Sequence, residues 1–102
     1  MNRTLIKDLI EKVDQTVLIQ GCLQELRNLS KLKFVILRDR SGDMQTLAFK
    51  GDTEEESFLA INDLTRESVV EIEGTVKKNK ESRWGIEVLI KKIKLISKSE
   101  VP

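Results

Sequence analysis

The segment KFVILRDRSGDMQ, residues 33–45, sets an aromatic ring, Phe34, at the head of an apolar run that ends in Arg38, Asp39 and Arg40 and returns through Met44 and Gln45. These side chains are equipped to bind rather than to react. A ring can stack on a flat partner, guanidinium groups can meet anions, and an amide such as Gln45 offers both a donor and an acceptor. Reactive chemistry has little to draw on elsewhere. The 102 residues include no histidine, which removes the usual general bases and the common zinc arrangements, and the single cysteine, Cys22, cannot form an internal disulfide. No cofactor and no metal site are expected, and the chain by itself is not expected to be an enzyme.

Whether Phe34 is available for stacking depends on which way it faces. If KFVILRD is a strand, alternation places Phe34 and Ile36 on the face of Arg38, and Val35 and Leu37 on the other. An arginine does not sit easily in a core, so the Phe34 face reads as outward. The competing reading makes Phe34 a core residue, because Lys33 sits on the opposite parity. Glu87, in WGIEVLI, is a carboxylate inside an otherwise apolar strand, which is costly unless the group is exposed or paired. Lys91 and Arg83 are its candidate ion-pair partners. Lys77, Lys78, Lys80 and Arg83 make a basic loop just before that strand, and Cys22 reads as a small apolar residue, buried or half-buried.

The elements that must position these residues follow from periodicity. A chain of 102 residues has room for one domain, and a composition of 39% apolar and 34% charged residues suits a soluble globular one. The N-terminal MNRTLIKDLIEKVD breaks its apolar residues with charges. Neither a signal peptide nor a membrane span is expected there, and a cytoplasmic location is the default. Apolar positions 5, 6, 9, 10 and 13 predict a short amphipathic helix within residues 1–14. TVLIQGCLQEL, 16–26, predicts a strand that bends or bulges at Gly21. KFVILRD and MQTLAFK predict a hairpin joined through residues 40–43.

The stretch DTEEESFLAINDLT then changes to helical spacing, with Thr53 and Glu56 placed to form a capping box. SVVEIEGTV, 68–76, and WGIEVLIKKIKLI, 84–96, predict the last two strands. Acids concentrate in residues 52–67 and bases in 74–98 under a net charge of only +1, a pattern that reads either as an acidic face and a basic face or as solvated charges on an ordinary surface. The order of elements predicts an all-β fold with one or two short helices: an OB-fold, a five-stranded Greek-key barrel with a helix between strands 3 and 4, spanning residues 15–98. Residues 99–102 read as the start of a linker. This fold uses its second and third strands and flanking loops to bind oligonucleotides or sugars. Trp84 would either stack on a nucleotide or pack against the end of the barrel.

A more specific pattern lies across the first three strands. GCLQELRNLSKLKFVILRDRSGDMQ, 21–45, resembles the N-terminal anticodon-binding domain of archaeal-type aspartyl-tRNA synthetases, with Gly21, Arg27, Phe34, Leu37, Arg38, Asp39, Gly42 and Gln45 in step. The likeness continues through residues 64–76 and 85–96, and SEVP at the end is similar to the family's junction with its catalytic domain. Cys22 stands where the family usually has Trp, and Ser30 where it often has Gly. The resemblance implies that Phe34 stacks on the central anticodon base, that Gln45 reads a uracil edge and that Glu87 helps hold an anticodon base. It implies phosphate or base contact by Arg27 and a basic edge extended by Lys31 and Lys33, while the place of Lys77, Lys78, Lys80 and Arg83 in one of the two loops this fold uses for oligonucleotides leads to the expectation that some of them contact phosphate. The partner it implies is the anticodon loop of tRNA-Asp or tRNA-Asn, with no membrane, and a homodimer for the full-length enzyme. Two other readings remain open: a free-standing OB module for single-stranded nucleic acid, and an OB domain whose face meets a protein.

Overall fold

Apolar side chains alternate inward along five strands, and the computed structural model, which describes residues 2–98, closes them into a barrel of order β1-β2-β3-β5-β4. The strands are β1 (Thr16–Leu29), β2 (Leu32–Asp39), β3 (Gly42–Phe49), β4 (Val69–Lys78) and β5 (Ile86–Ser97), with one helical segment between β3 and β4. This is the predicted OB-fold. All neighbouring strands are antiparallel except β3 and β5, which pair in parallel with Thr46 opposite Val88.

β1 serves two partners. Its first half pairs with β4, Thr16 opposite Thr75 through Cys22 opposite Val69, and its second half pairs with β2, Cys22 opposite Arg38 through Leu29 opposite Leu32. The register slips between Leu23 and Glu25, so the bulge lies beyond Gly21. Gly21 serves a different purpose: a Cβ there would stand 2.7 Å from the Arg38 carbonyl oxygen, and only glycine lets the two backbones pass so closely.

The inward residues form one core. Ile19, Val35, Leu37, Val70, Ile72, Val76 and Val88 are completely buried, each contributing ~1.5–3 kcal/mol of transfer free energy. The one buried hydroxyl on β3, Thr46, donates to the Val35 carbonyl at 2.6 Å.

Two helical pieces depart from their predicted form. The N-terminal one is a 3-10 helix over Ile6–Glu11. Its three-residue period aligns Ile6 and Leu9, which are buried, and leaves Ile10 57% exposed. Asp39 fastens it to the β2–β3 turn, accepting from the Ile6 amide at 2.9 Å, the Ser41 amide at 2.7 Å and the Ser41 hydroxyl at 2.6 Å. The second piece is α1 (Glu55–Ala60), followed by a 3-10 turn over Ile61–Asp63; Phe58 and Ile61 reach the core. The expected capping box does not form. The Thr53 hydroxyl donates instead to the Ile90 carbonyl at 2.7 Å and accepts from the Phe49 amide at 3.1 Å, and no side chain caps α1.

The charged runs do not simply separate onto two faces. On β5, Lys92 and Lys94 stand opposite Glu73 and Glu71 of β4, and Lys92 lies 3.7 Å from Glu54 at the entry to α1. Strand pairing thus interleaves charges that are separated along the chain. Among the described residues no helix is long and apolar enough to cross a membrane. The expected linker, 99–102, lies outside the described residues.

Candidate nucleic-acid interface

Strand register brings the outward side chains of β1, β2, β3 and β5 into two rows. In one, Arg27, Phe34 and Leu47 stand side by side. In the other, Glu25, Ile36 and Gln45 do, and Glu87, one step before the Val88–Thr46 pairing, completes it. These rows floor a groove of about 980 Å³ walled by the β4–β5 loop, residues 79–85. Phe34, Gln45 and Glu87, far apart in sequence, therefore share one surface. Phe34 is half-buried and stands outside the core cluster, while its neighbour Val35 is completely buried. The outward placement from alternation holds, and a core role for Phe34 does not.

The groove's polar groups differ in how committed they are. The Gln45 backbone pairs with Ile36, while its side-chain amide, with no partner among the described residues, lines the groove and is free to meet a ligand edge. Glu87 is tied neither to Lys91 nor to Arg83, which corrects both sequence candidates. Its Oε1 accepts from the Asn79 side-chain amide at 2.6 Å. Asn79 is itself fixed, because its Oδ1 accepts from the Glu81 backbone N–H at 3.0 Å and its backbone N–H donates to the Gly85 carbonyl at 3.0 Å. The second oxygen of Glu87 remains open as an acceptor.

The β4–β5 loop is held from the other side by Asp43, a residue that the sequence alone did not single out. Its carboxylate accepts from the Trp84 indole at 3.0 Å, from Gln24 at 3.2 Å and from Arg83 at 2.8 Å. Burial pushes the Asp43 carboxyl up, but the bonds from Trp84 and Gln24 and the Arg83 charge together outweigh it and hold it below the ordinary carboxylate value. Trp84 packs against the core, as one of the two sequence readings had it, and the Arg83 guanidinium lies 4.2 Å from the centroid of its ring.

The basic residues divide. Arg27 and Arg83 line the groove, and so do Arg38 and Arg66, which were not among the sequence candidates. Arg27 lies 3.6 Å from Glu25, an exposed pair that water weakens. Lys78 and Lys80 are exposed but lie outside the groove walls. Lys31 lines a different groove, of about 850 Å³, beside α1. Lys33 does not belong to the basic edge at all. Its position, alternate to Phe34, turns it inward, 2% exposed, where its amine donates to the Asn62 side chain and lies 4.5 Å from the centroid of the Phe58 ring. Cys22 is half-buried, as expected. No cluster of three or more His, Cys, Asp or Glu among the described residues could hold a metal.

Comparison with known proteins gives this surface a context. Residues 17–96 match the tRNA anti-codon family, described as an OB-fold nucleic acid binding domain. The chain is 38% identical over 90 residues to the aspartate–tRNA(Asp/Asn) ligase of Methanopyrus kandleri, covering 88% of this chain and 21% of that protein. It is 38% identical over 97 residues to that of Methanococcus maripaludis, covering 94% and 22%. It therefore spans about a fifth of the length of these curated relatives. Among solved structures, the asparaginyl-tRNA synthetase of Pyrococcus horikoshii complexed with asparaginyl-adenylate superposes with a TM-score of 0.88 at 27% identity, over 98% of this chain and 23% of that one. An OBody bound to hen egg-white lysozyme superposes with a TM-score of 0.85 at 25% identity, over 97% of this chain and 99% of that one.

Proposed function

We propose, for a chain that belongs to the tRNA anti-codon family of OB-fold nucleic acid binding domains, that the groove over β2, β3 and β5 binds the unpaired anticodon loop of a tRNA for aspartate or asparagine. The observation that carries this reading is the convergence of Phe34, Gln45 and Glu87 on one outward surface, with the Gln45 amide unengaged. A half-exposed ring on an OB sheet is a platform for one base, an unengaged amide reads a base edge, and the open oxygen of Glu87 accepts from a base donor. Arg27, Arg38 and Arg66 rim the groove and supply attraction for the phosphates. The role is recognition without catalysis: the surface orients an RNA loop for chemistry performed elsewhere.

Titration of anticodon stem-loop RNAs that differ only at the central anticodon base tests the reading. Phe34→Ala weakens binding to every loop by ~1–3 kcal/mol, as expected for loss of one stacked base. Gln45→Ala mainly lowers the preference for uracil at the centre. With about three phosphates neutralised, log K falls against log salt with a slope of about −2. Binding that is indifferent to the central base and to Phe34→Ala would overturn the proposal. A second reading, a protein-binding face, has the likeness to the lysozyme-bound OBody in its favour. It predicts no salt-dependent RNA affinity at all.

A further inference from the structure

The β4–β5 loop carries a feature that the anticodon reading does not use. Arg83 was counted with the phosphate-binding lysines, yet its surroundings suit another task. Its Nη2 is engaged by the Asp43 carboxylate at 2.8 Å, so its charge already has a partner. The guanidinium carbon stands over the Trp84 ring, 4.2 Å from its centroid, and the indole is pinned through Nε1 to the other Asp43 oxygen at 3.0 Å. Trp84 packs against the core, and the Arg83 side chain over it is 64% exposed. One carboxylate therefore fixes both members of the stack, and Gln24 from β1, donating to the same oxygen as Arg83 at 3.2 Å, fixes the carboxylate.

We infer that Arg83, held over Trp84 and paired with Asp43, is a second base-stacking platform of the groove rather than a phosphate contact. The inference rests on the reading of the groove as an RNA-loop site and assigns it a second unstacked base, facing the loop wall as the first faces Phe34. A guanidinium plane serves this purpose as an aromatic ring does, since any base has a π face and a delocalised cation lies well against it. A free arginine would give this role up to a phosphate. The pair with Asp43 weakens that competition and restrains the guanidinium, so less side-chain freedom is lost when a base arrives.

Trp84 is the one tryptophan of the chain, so its emission reports on the stack directly. The probe is an RNA hairpin carrying an aspartate anticodon in its loop, titrated into the purified chain at several salt concentrations. Hairpin binding changes the Trp84 emission of the unaltered chain. Arg83→Lys keeps the charge and loses the plane; it weakens binding by roughly 5- to 150-fold, the value of one stacked base, and leaves the salt slope unchanged. Asp43→Ala frees the stack and weakens binding comparably, and Asp43→Asn, which keeps one acceptor oxygen, restores part of it. Arg83→Lys binding as the unaltered chain does, or Arg83→Gln reducing the salt slope by about 0.7, would make Arg83 a phosphate contact and overturn the inference. Phe34→Ala in parallel separates the two levels. If Phe34→Ala loses affinity while the Arg83 variants do not, the groove reading stands and the second platform falls. If the unaltered chain fails to bind the hairpin, both fall.

Discussion

Asp39→Ala removes the single carboxylate that joins the N-terminal 3-10 helix to the β2–β3 turn. Three hydrogen bonds end on it, from the Ile6 amide, the Ser41 amide and the Ser41 hydroxyl, at 2.6 to 2.9 Å. At a net ~0.5–1.5 kcal/mol each they sum to ~1.5–4.5 kcal/mol, and because the site is only half-buried the lower part of that range, about 2 kcal/mol, is expected. For a domain of this size that lowers Tm by roughly 8–16 °C. Asp39→Asn keeps one acceptor oxygen and falls between. Burial pushes the Asp39 carboxyl up, but the bonds from Ser41, Ile6 and the Gly42 backbone together outweigh it, and its folded value lies below the ordinary one. A group so depressed contributes stability that is fully present above its unfolded value, about 3.9, and is lost as pH falls through its folded value. The difference in unfolding free energy between the unaltered chain and Asp39→Asn is therefore flat from neutral pH to about 5 and closes below about 4. Chemical denaturation followed by circular dichroism across that range measures it. A Tm loss for Asp39→Ala under about 4 °C, or a difference that persists unchanged below pH 3, would refute the assignment of this carboxylate as the fastening.

Four further substitutions test local geometry. Ser30 occupies the tight β1–β2 turn at φ +63°, so Ser30→Gly raises stability by roughly 0.5–1 kcal/mol, the left-handed penalty less glycine's extra unfolded freedom; a lower Tm would contradict it. Gly21→Ala drives a methyl against the Arg38 carbonyl and costs about 1–3 kcal/mol, read as a shift in denaturation midpoint; a neutral result would mean the strands do not cross there. Thr53→Val loses both hydroxyl bonds and about 1–3 kcal/mol, while Glu56→Ala stays within about 0.5 kcal/mol, and the reverse order would restore the capping box.

Residues whose role follows from near neighbours were readable in advance. Alternation grouped Phe34 with Arg38 and Lys33 with Val35 but left open which face is inward, since an arginine on one face and a lysine on the other pull in opposite directions; the structure buries Val35 and Lys33 and so removes Lys33 from the surface on which the resemblance put it. The N-terminal helix was legible in place but not in pitch, because Ile6, Leu9 and Ile10 fit a 3.6-residue period and only docking to Asp39 selects the tighter one. Thr53 carries a correct local signal that a distant carbonyl, Ile90, takes over. Asp43 gave no local sign, since its partners Gln24, Arg83 and Trp84 come from another strand and from a loop beyond α1. The available hint was general: a tryptophan at a polar loop needs an acceptor for its indole N–H.

Phe34, Gln45 and Glu87 each stand between inward-facing neighbours: Lys33 and Val35, Met44 and Thr46, Ile86 and Val88. That alternation makes the surface easy to rewrite and hard to re-space. Exchanging one outward residue for another leaves the barrel's interior untouched, so specificity can drift by point substitution at little cost in folding. Gaining or losing a single residue within β2, β3 or β5 would instead turn every following side chain over, sending groove residues into the core and core residues into the groove. Lineages descending from such a sequence should vary in letters along these strands and in length only at the turns, with residues 79–85 the natural place for growth.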